Sequence, residues 1–362
     1  MNDLMTSSKI NIIPTENSKL HEIDFDNLVF GKKFSDHMFV MEYDNGAWSK
    51  PEIRPYGPIQ ISPALNTLHY GQAIFEGMKA FYVDEETINL YRPKDHFERL
   101  NRSARRIGIP ETDYDTFISG LEELIRLDHQ FVPKKEQTSL YIRPFIFASD
   151  DLLAARSSSK FSYYIITSPV GAYYEEGFNP VSLTTTENYV RAVVGGTGEV
   201  KTAGNYAASF LPAQEAKNAG YTQVLWLDAK EHKYIEEVGT MNIHFLIGDT
   251  LVTPELTGSI LGGITRRSVI EVASEWGYKI EERKISIDEV FKASKDGSLK
   301  EVFGSGTAAV ISPVGKIHHQ GEVINIGTGK IGEFAERLYN EITGIQYGKI
   351  EDKHDWIHSV KV

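Results

Sequence analysis

Lys201-Thr202-Ala203-Gly204-Asn205-Tyr206, Glu237-Val238-Gly239-Thr240-Met241-Asn242 and Leu261-Gly262-Gly263-Ile264-Thr265-Arg266 follow one another in the second half of a 362-residue chain. Gly304-Ser305-Gly306-Thr307-Ala308 closes the series. Taken singly, each segment is weak. A lone lysine is usually solvated, and a Gly-Thr pair is usually just a turn. Their order is informative, together with the elements that carry them. Val181–Thr185, Thr222–Asp228, Met241–Ile247 and Leu251–Thr253 are β-branched and apolar runs that predict strands. Arg266–Trp276 predicts a helix stopped by Gly277, so Thr265 stands at a helix start. Ser286-Ile287-Asp288-Glu289 is a capping box opening another helix, and Ile331, Phe334, Ala335, Leu338 and Ile342 form a late helical stripe. Pro212 disturbs the helix expected after Asn205, because an interior proline costs about 3 kcal/mol. That helix is kinked or starts later.

The first half mixes the same two periodicities. Phe39–Tyr43 runs toward Asn45-Gly46, a hairpin sequence that tolerates positive φ. Phe97, Leu100, Ala104 and Ile107 after Pro93 form one helical stripe, and Phe117, Ile118, Leu121, Leu124 and Ile125 form another. Leu140–Ala148 and Phe161–Thr167 are strand-like. Ser168-Pro169-Val170-Gly171 and Glu175-Glu176-Gly177-Phe178-Asn179-Pro180 carry the Gly/Pro punctuation of a linker. The expected organisation is a first domain over 1–169, a linker over 170–181 and a second domain over 182–362. Strands and helices mix in both, so the class is α/β or α+β. The length suits two domains at roughly 150 residues each.

Composition excludes several classes. The chain is 41% hydrophobic and 24% charged, ordinary for a globular protein and unlike a disordered or coiled-coil one. A net charge of −12 argues against nonspecific nucleic-acid binding and against adhesion to anionic membranes. With no cysteine there is no disulfide, thiolate metal site or thiol nucleophile. The stretch from Pro55 to Phe75 lacks charged residues but is broken by prolines, so no membrane helix is expected. The N-terminal segment has no apolar signal core and is rich in acids, and a cytoplasmic protein is expected.

Three apparent motifs fail on chemistry. Gly195-Gly196-Thr197-Gly198-Glu199-Val200-Lys201-Thr202 places Val200, not glycine, before the lysine, so the amide cradle of a P-loop is interrupted. Phe303 stands where a G-x-S-x-G nucleophile elbow around Ser305 needs its first glycine. His318 and His319 are adjacent and no H-E-x-x-H occurs, so no metal is expected.

Pyridoxal phosphate chemistry asks four things of a protein. It needs a lysine for the aldehyde, a carboxylate for the pyridine nitrogen, a cradle for the phosphate and a donor to the phenolic oxygen. The quoted series resembles the class IV pyridoxal-phosphate aminotransferases, and more closely the branched-chain amino acid aminotransferases. The likeness runs from about Phe30 to Ile345-Gln346-Tyr347-Gly348. The E-x-G-x-x-N run followed by L-x-G-[LIVM]-T-R is fairly specific to the class. His244 stands where the family pattern has Phe or Tyr.

The resemblance implies a two-domain fold-type-IV enzyme, with a smaller N-terminal α/β domain and a larger C-terminal pseudo-barrel domain. It implies Lys201 as the catalytic Schiff-base lysine. Glu237 becomes the pyridine partner; Glu236 is adjacent, but strand neighbours point to opposite faces, so only one can reach the ring. Tyr206 is the phenolic-oxygen donor, and Leu261 packs on the ring. Gly263, Ile264, Thr265 and Thr307 form the phosphate cradle, helped by a helix N-terminus and by Arg99 and Arg191.

On the substrate side, Leu68–Gly77 and Ser139–Pro144 look like branched-chain aminotransferase signatures. Phe30, Tyr70, Phe75, Tyr141 and Tyr173 would wall an apolar pocket. Arg143 would meet the second carboxylate of glutamate, with Tyr141 beside it on one strand face. Thr240 and the Thr307-Ala308 turn would hold the α-carboxylate. The implied reaction moves an amino group between L-leucine, L-isoleucine or L-valine and 2-oxoglutarate, giving L-glutamate and 2-oxo acids. At least a homodimer is implied, with Tyr70 reaching in from the partner. The alternatives are a D-amino acid aminotransferase, an aminodeoxychorismate lyase, or a noncatalytic pyridoxal-phosphate-binding relative.

Overall fold

The computed structural model describes residues 10–171 and 178–362. The chain forms two compact units, Met1–Ala172 with Ile345–Val362, and Tyr173–Gly344.

The first unit contains β1 (Asn11–Ile12), β2 (His37–Asp44), β3 (Ala47–Trp48), β4 (Glu52–Pro55), β5 (Ala73–Phe75), β6 (Met78–Asp84), β7 (Thr87–Tyr91), β8 (Ser139–Ala148) and β9 (Phe161–Val170). Its helices are α1 (Asn66–Tyr70), α2 (Pro93–Arg106) and α3 (Tyr114–Leu127). The strands pair in the order β1-β4-β2-β9-β8-β6-β7, with β3 on β2 and β5 on β8. Asn45 and Gly46 turn the β2–β3 hairpin at φ 52° and 84°, as their sequence predicts. Pro93 opens α2, where a missing N–H leaves nothing unpaired. The two helical stripes enter one core: Phe97, Leu100, Ala104, Phe117, Leu121 and Leu124 pack with Phe39, Ile142 and Tyr163.

In the first unit Pro144 and Pro169 sit inside strands, each where a neighbour is missing. β8 pairs with β6 through residues 140–142 and with β5 through 145–147, and Pro144 lies in the gap. β2 pairs with β9 only as far as Ile166, so Pro169 has β8 alone beside it. Ser168–Val170 therefore belong to β9, which corrects the linker start expected at 170.

The second unit contains β10 (Val181–Thr185), β11 (Gln223–Leu227), β12 (Ile235–Val238), β13 (Met241–Ile247), β14 (Thr250–Thr253), β15 (Lys279–Glu282), β16 (Leu299–Gly306), β17 (Val310–His319) and β18 (Glu322–Asn325). Its helices are α4 (Ala203–Ala207), α5 (Phe210–Asn218), α6 (Ile264–Glu275), α7 (Ile287–Lys295) and most of α8 (Glu333–Gln346). The path β12-β11-β10-β17-β16-β13 closes on itself because β12 also pairs with β13. That ring is the expected pseudo-barrel, filled by Leu183, Leu225, Val238, Ile243 and Val302 among others. Pro212 does not kink a helix. The chain breaks between α4 and α5, and Pro212 falls in the first turn of α5, where its absent N–H costs nothing. Ser286 caps α7 by accepting the Glu289 N–H at 3.1 Å.

The last segment departs from expectation. Residues 345–362 return to the first unit, where β19 (Ile357–Lys361) adds antiparallel to β7. The second unit is thus not 182–362, and the first unit is the larger. The physical reason is the open edge of β7: its unpaired backbone groups are satisfied by the chain terminus.

Candidate active site

In the second unit, Asn205 fixes the approach to Lys201. Its Nδ2 donates to the carbonyls of Thr197 at 2.7 Å and Val200 at 2.9 Å, and its Oδ1 accepts from Thr197 Oγ1 at 2.7 Å. Lys201 is half-buried just before α4, and its Nζ donates to Tyr206 Oη at 2.5 Å. One turn of helix thus sets the amine against the phenol.

β12 carries both glutamates. Glu236 Oε1 accepts from Ser259 Oγ at 2.5 Å, and Glu236 lines a cavity of about 380 Å³ with Val193, Tyr234, Pro254 and Ile260. Glu237 meets different partners: its Oε1 accepts the Leu261 N–H at 2.7 Å, and its Oε2 lies 2.5 Å from Arg191 Nε. The alternation expected of strand neighbours is observed. Glu237 is 2% exposed, and burial pushes its carboxyl up to about 7, against the pull of Arg191 and the Leu261 N–H.

Arg191 corrects an expectation. The resemblance assigns it to the phosphate, but its guanidinium grips the Glu237 carboxylate and the carbonyls of Ser259 at 2.8 Å and Gly198 at 3.3 Å. A buried carboxylate is the strongest available partner for a buried guanidinium, which is why the side chain turns there. Arg191, Tyr206, Thr240 and Leu261 line one narrow crevice.

α6 opens at Gly263, an N-cap with no side chain of its own to bond the first N–H groups. Such a helix end favours an anion. Ile264 and Thr265 are buried in its first turn. A Cβ on Gly263 would lie 2.0 Å from Asn242 Oδ1, so only glycine lets the loop pass under Asn242. Thr307 and Ala308 occupy the turn between β16 and β17, where Gly306 pairs with Val310. Val310 has a φ of 62°, a left-handed conformation that costs a β-branched residue roughly 1–3 kcal/mol. His244 is fully buried, stacked on Phe303 with ring centroids 5.0 Å apart, and hydrogen-bonded through Nε2 to Ser305 Oγ at 2.9 Å. Burial pushes its pKa down to about 3, so the imidazole is neutral and packs as the aromatic residue it replaces would.

In the first unit four expected residues meet. Arg143 lies over the rings of Phe75, 4.6 Å from its centroid, and Tyr141, at 5.3 Å. Its Nη2 donates to Tyr141 Oη at 3.0 Å, and Phe30 packs edge-on to Tyr141 at 4.8 Å. Tyr141 and Arg143 share a face of β8, as their spacing requires. Tyr70 stands apart on α1, 45% exposed. Arg99 is buried on α2 and held bidentately by Glu76, at 2.7 and 2.9 Å. Tyr173 lies outside the described residues.

Sequence reasoning assigned no role to Asn242, Asn205, Glu76 or His96. Asn242 and Asn205 were inside quoted motifs, and that position was their only signal. His96 shares the Glu76 carboxylate at 2.8 Å, a contact with no sequence signature.

Known proteins resemble the chain over most of its length. The chain is 49% identical over 358 residues to branched-chain-amino-acid aminotransferase 2 of Bacillus subtilis (strain 168), covering 98% of each protein. It is 50% identical over 335 residues to a probable branched-chain-amino-acid aminotransferase of Staphylococcus aureus (strain MRSA252), covering 92% of this chain and 93% of that protein. The crystal structure of Escherichia coli branched-chain amino acid aminotransferase matches with a TM-score of 0.73 and 28% identity, over 90% of this chain and 99% of that one. The T.th. branched-chain amino acid aminotransferase, solved with pyridoxamine 5′-phosphate, matches with a TM-score of 0.71 and 26% identity, over 88% and 97% of the chains. With the amino-transferase class IV family model matching residues 73–317 as well, the chain belongs to the class IV aminotransferases.

Proposed function

We propose that this protein moves the amino group between L-leucine, L-isoleucine or L-valine and 2-oxoglutarate. The observation that carries the reading is the cluster of Phe30, Phe75, Tyr141 and Arg143. An aromatic wall suits a branched aliphatic side chain, and burying one gains about 1.5–3 kcal/mol. A single guanidinium in that wall suits the second carboxylate of glutamate. One pocket thereby serves both halves of a transamination.

Class IV aminotransferases use pyridoxal 5′-phosphate, and the second unit's residues fit it. Glu237 is buried with its carboxyl pushed up, a cost of burial that a protonated ring nitrogen beside it would relieve. The α6 N-terminus offers N–H groups that no N-cap side chain bonds, where an anion belongs. When bound, the cofactor supplies the electron sink. Lys201 Nζ would hold the cofactor, and the same amine is placed to move the proton at the substrate α-carbon. Tyr206 Oη orients that amine. Glu237 would hold the ring nitrogen, and Arg191 holds Glu237. Gly263, Ile264, Thr265 and Thr307 would bind the phosphate. Leu261 would support the ring, and Thr240 and Ala308 would hold the α-carboxylate.

A homodimer and a cytoplasmic location belong to the same proposal. Leu68 and Tyr70 on α1 are 58% and 45% exposed, apolar surface that a second copy would cover. Among the described residues no helix is long and apolar enough to cross a membrane.

Initial rates with L-leucine, D-alanine and aminodeoxychorismate test the reading. Turnover of L-leucine alone is expected, and preference for either other compound overturns it. Lys201→Ala is expected to abolish borohydride-reducible attachment of the cofactor. Sedimentation tests the dimer, and a monomer at micromolar concentration refutes it.

A further inference from the structure

Tyr141 reaches Arg143 only because residue 77 has no side chain. A Cβ on Gly77 would lie 2.0 Å from Tyr141 Oη and 2.9 Å from its Cζ, closer than any real contact. The backbone there is pinned. The Glu76 N–H donates to the Pro144 carbonyl at 2.7 Å, and Met78 enters β6 opposite Ile142. The Glu76 carboxylate accepts the Gly77 N–H at 3.2 Å while itself gripped by Arg99 and His96. Gly77 is outside the left-handed region, so alanine is compatible with its backbone. The phenol tip, the far end of a flexible side chain, is what must move.

That tip accepts from Arg143 Nη2 and so fixes the guanidinium, which also lies over Phe75. Arg143 Nε is buried with no hydrogen-bond partner among the described residues. A buried N–H donor left unpaired is costly unless a ligand completes it, and a carboxylate is the ligand that a guanidinium fork fits.

We propose that Gly77 is a specificity-determining position. By leaving room for Tyr141 Oη it sets the Arg143 fork for a second carboxylate, so the pocket accepts a dicarboxylate as well as an aliphatic chain. This rests on the reading of Arg143 given above and assigns the selectivity to a residue that has no side chain of its own to meet either substrate. Gly77 acts through Tyr141 and is a positioning residue.

The test titrates the holoenzyme by calorimetry with glutarate, a five-carbon dicarboxylate, and with 4-methylvalerate, an apolar monocarboxylate. Gly77→Ala is expected to weaken glutarate about tenfold and 4-methylvalerate less than about threefold. Tyr141→Leu is expected to weaken glutarate similarly, and adding Gly77→Ala to it should change glutarate affinity by less than about twofold, because the two positions are coupled. Equal weakening of both ligands by Gly77→Ala, or full additivity in the double variant, overturns the proposal. Should Gly77→Ala lower Tm too far to titrate, the double variant must restore Tm, and failure to do so also overturns it. Arg143→Ala separates the two readings. If it leaves glutarate affinity unchanged, the Arg143 reading falls; if it weakens glutarate while Gly77→Ala does not, only the Gly77 assignment falls.

Discussion

Glu237 and Asn242 stand opposite each other across the β12–β13 hairpin and hold the two ends of one residue. Glu237 Oε1 accepts the Leu261 N–H at 2.7 Å, and Asn242 Nδ2 donates to the Leu261 carbonyl at 2.8 Å. The acid proposed for the ring nitrogen and the loop proposed for the phosphate are therefore in one fixed register. Asn242 also pairs with Ser305 on β16, the strand leading to Thr307. The ladder carries the same alignment across to the Gly304–Ala308 segment.

Asn242→Ala should loosen that register. It leaves the buried Leu261 carbonyl without its donor, a loss of about 1–3 kcal/mol. Tm should fall, and pyridoxal phosphate should bind more weakly by about tenfold in a cofactor titration. Gly263→Ala, whose methyl would strike Asn242 Oδ1, should be non-additive with it. A variant that melts and binds like the parent would show that the clamp carries no weight.

Glu237 sets a pH dependence in the cofactor-free protein. Its carboxyl, at about 7 instead of the ordinary 4.5, keeps a proton that the unfolded chain has released. Between those values the native state binds more protons, so stability falls as pH rises, by on the order of 3 kcal/mol in total. Glu237→Gln should flatten the slope of Tm between pH 4.5 and pH 7. Arg191→Met, which removes the ion pair, should move the window to higher pH. Identical slopes in parent and Glu237→Gln refute the assignment.

His244 works in the opposite sense. Its pKa of about 3 lies below the ordinary 6.5, so between those values the unfolded chain binds the extra proton. Stability is full above pH 6.5 and is lost as pH falls toward 3. His244→Phe keeps the stack on Phe303, removes this acid-side loss and leaves Ser305 Oγ to find another partner. Urea melts at pH 7 should differ by roughly 1 kcal/mol, and at pH 4.5 the variant should be the more stable. A parent that is no less stable than the variant at pH 4.5 would contradict this.

Glu76 is expected to carry more stability than a surface pair. Burial pushes its carboxyl up, but the Arg99 guanidinium, with hydrogen bonds from Arg99 and His96, outweighs burial and holds it far below the usual carboxylate range. Glu76→Gln removes the counter-charge of a buried arginine and should cost about 3–5 kcal/mol in urea melts at pH 7. The parent should lose this contribution only as pH drops below 4.5, the ordinary value. A loss under about 1 kcal/mol would place the pair among weakly coupled surface contacts.

Much of the fold was legible because its signals are local. The stripes of α2 and α3, the Asn45-Gly46 turn and the Ser286 cap need only neighbours in sequence. So did the opposite facing of Glu236 and Glu237, since alternation along β12 is a local rule, and so did the meeting of Tyr141 and Arg143 on one face of β8; the choice between the two glutamates came from the family register and not from spacing. Pro169 misled because a proline reads as a breaker wherever it stands. Whether a strand tolerates it depends on a neighbour that ends at Ile166, and no spacing shows that.

By itself the sequence determined which groups are present to do chemistry, in what order, and on which elements: an amine before α4, an acid on β12, a helix start at Gly263, a guanidinium among aromatics on β8. Only the tertiary structure decided whom each group serves. It turned Arg191 onto Glu237, set Asn242 over Leu261, gave Arg99 to Glu76 and returned residues 345–362 to the edge of β7. Periodicity is a property of a few consecutive residues, whereas a hydrogen bond between residues far apart in the chain exists only once sheet register and burial bring them together.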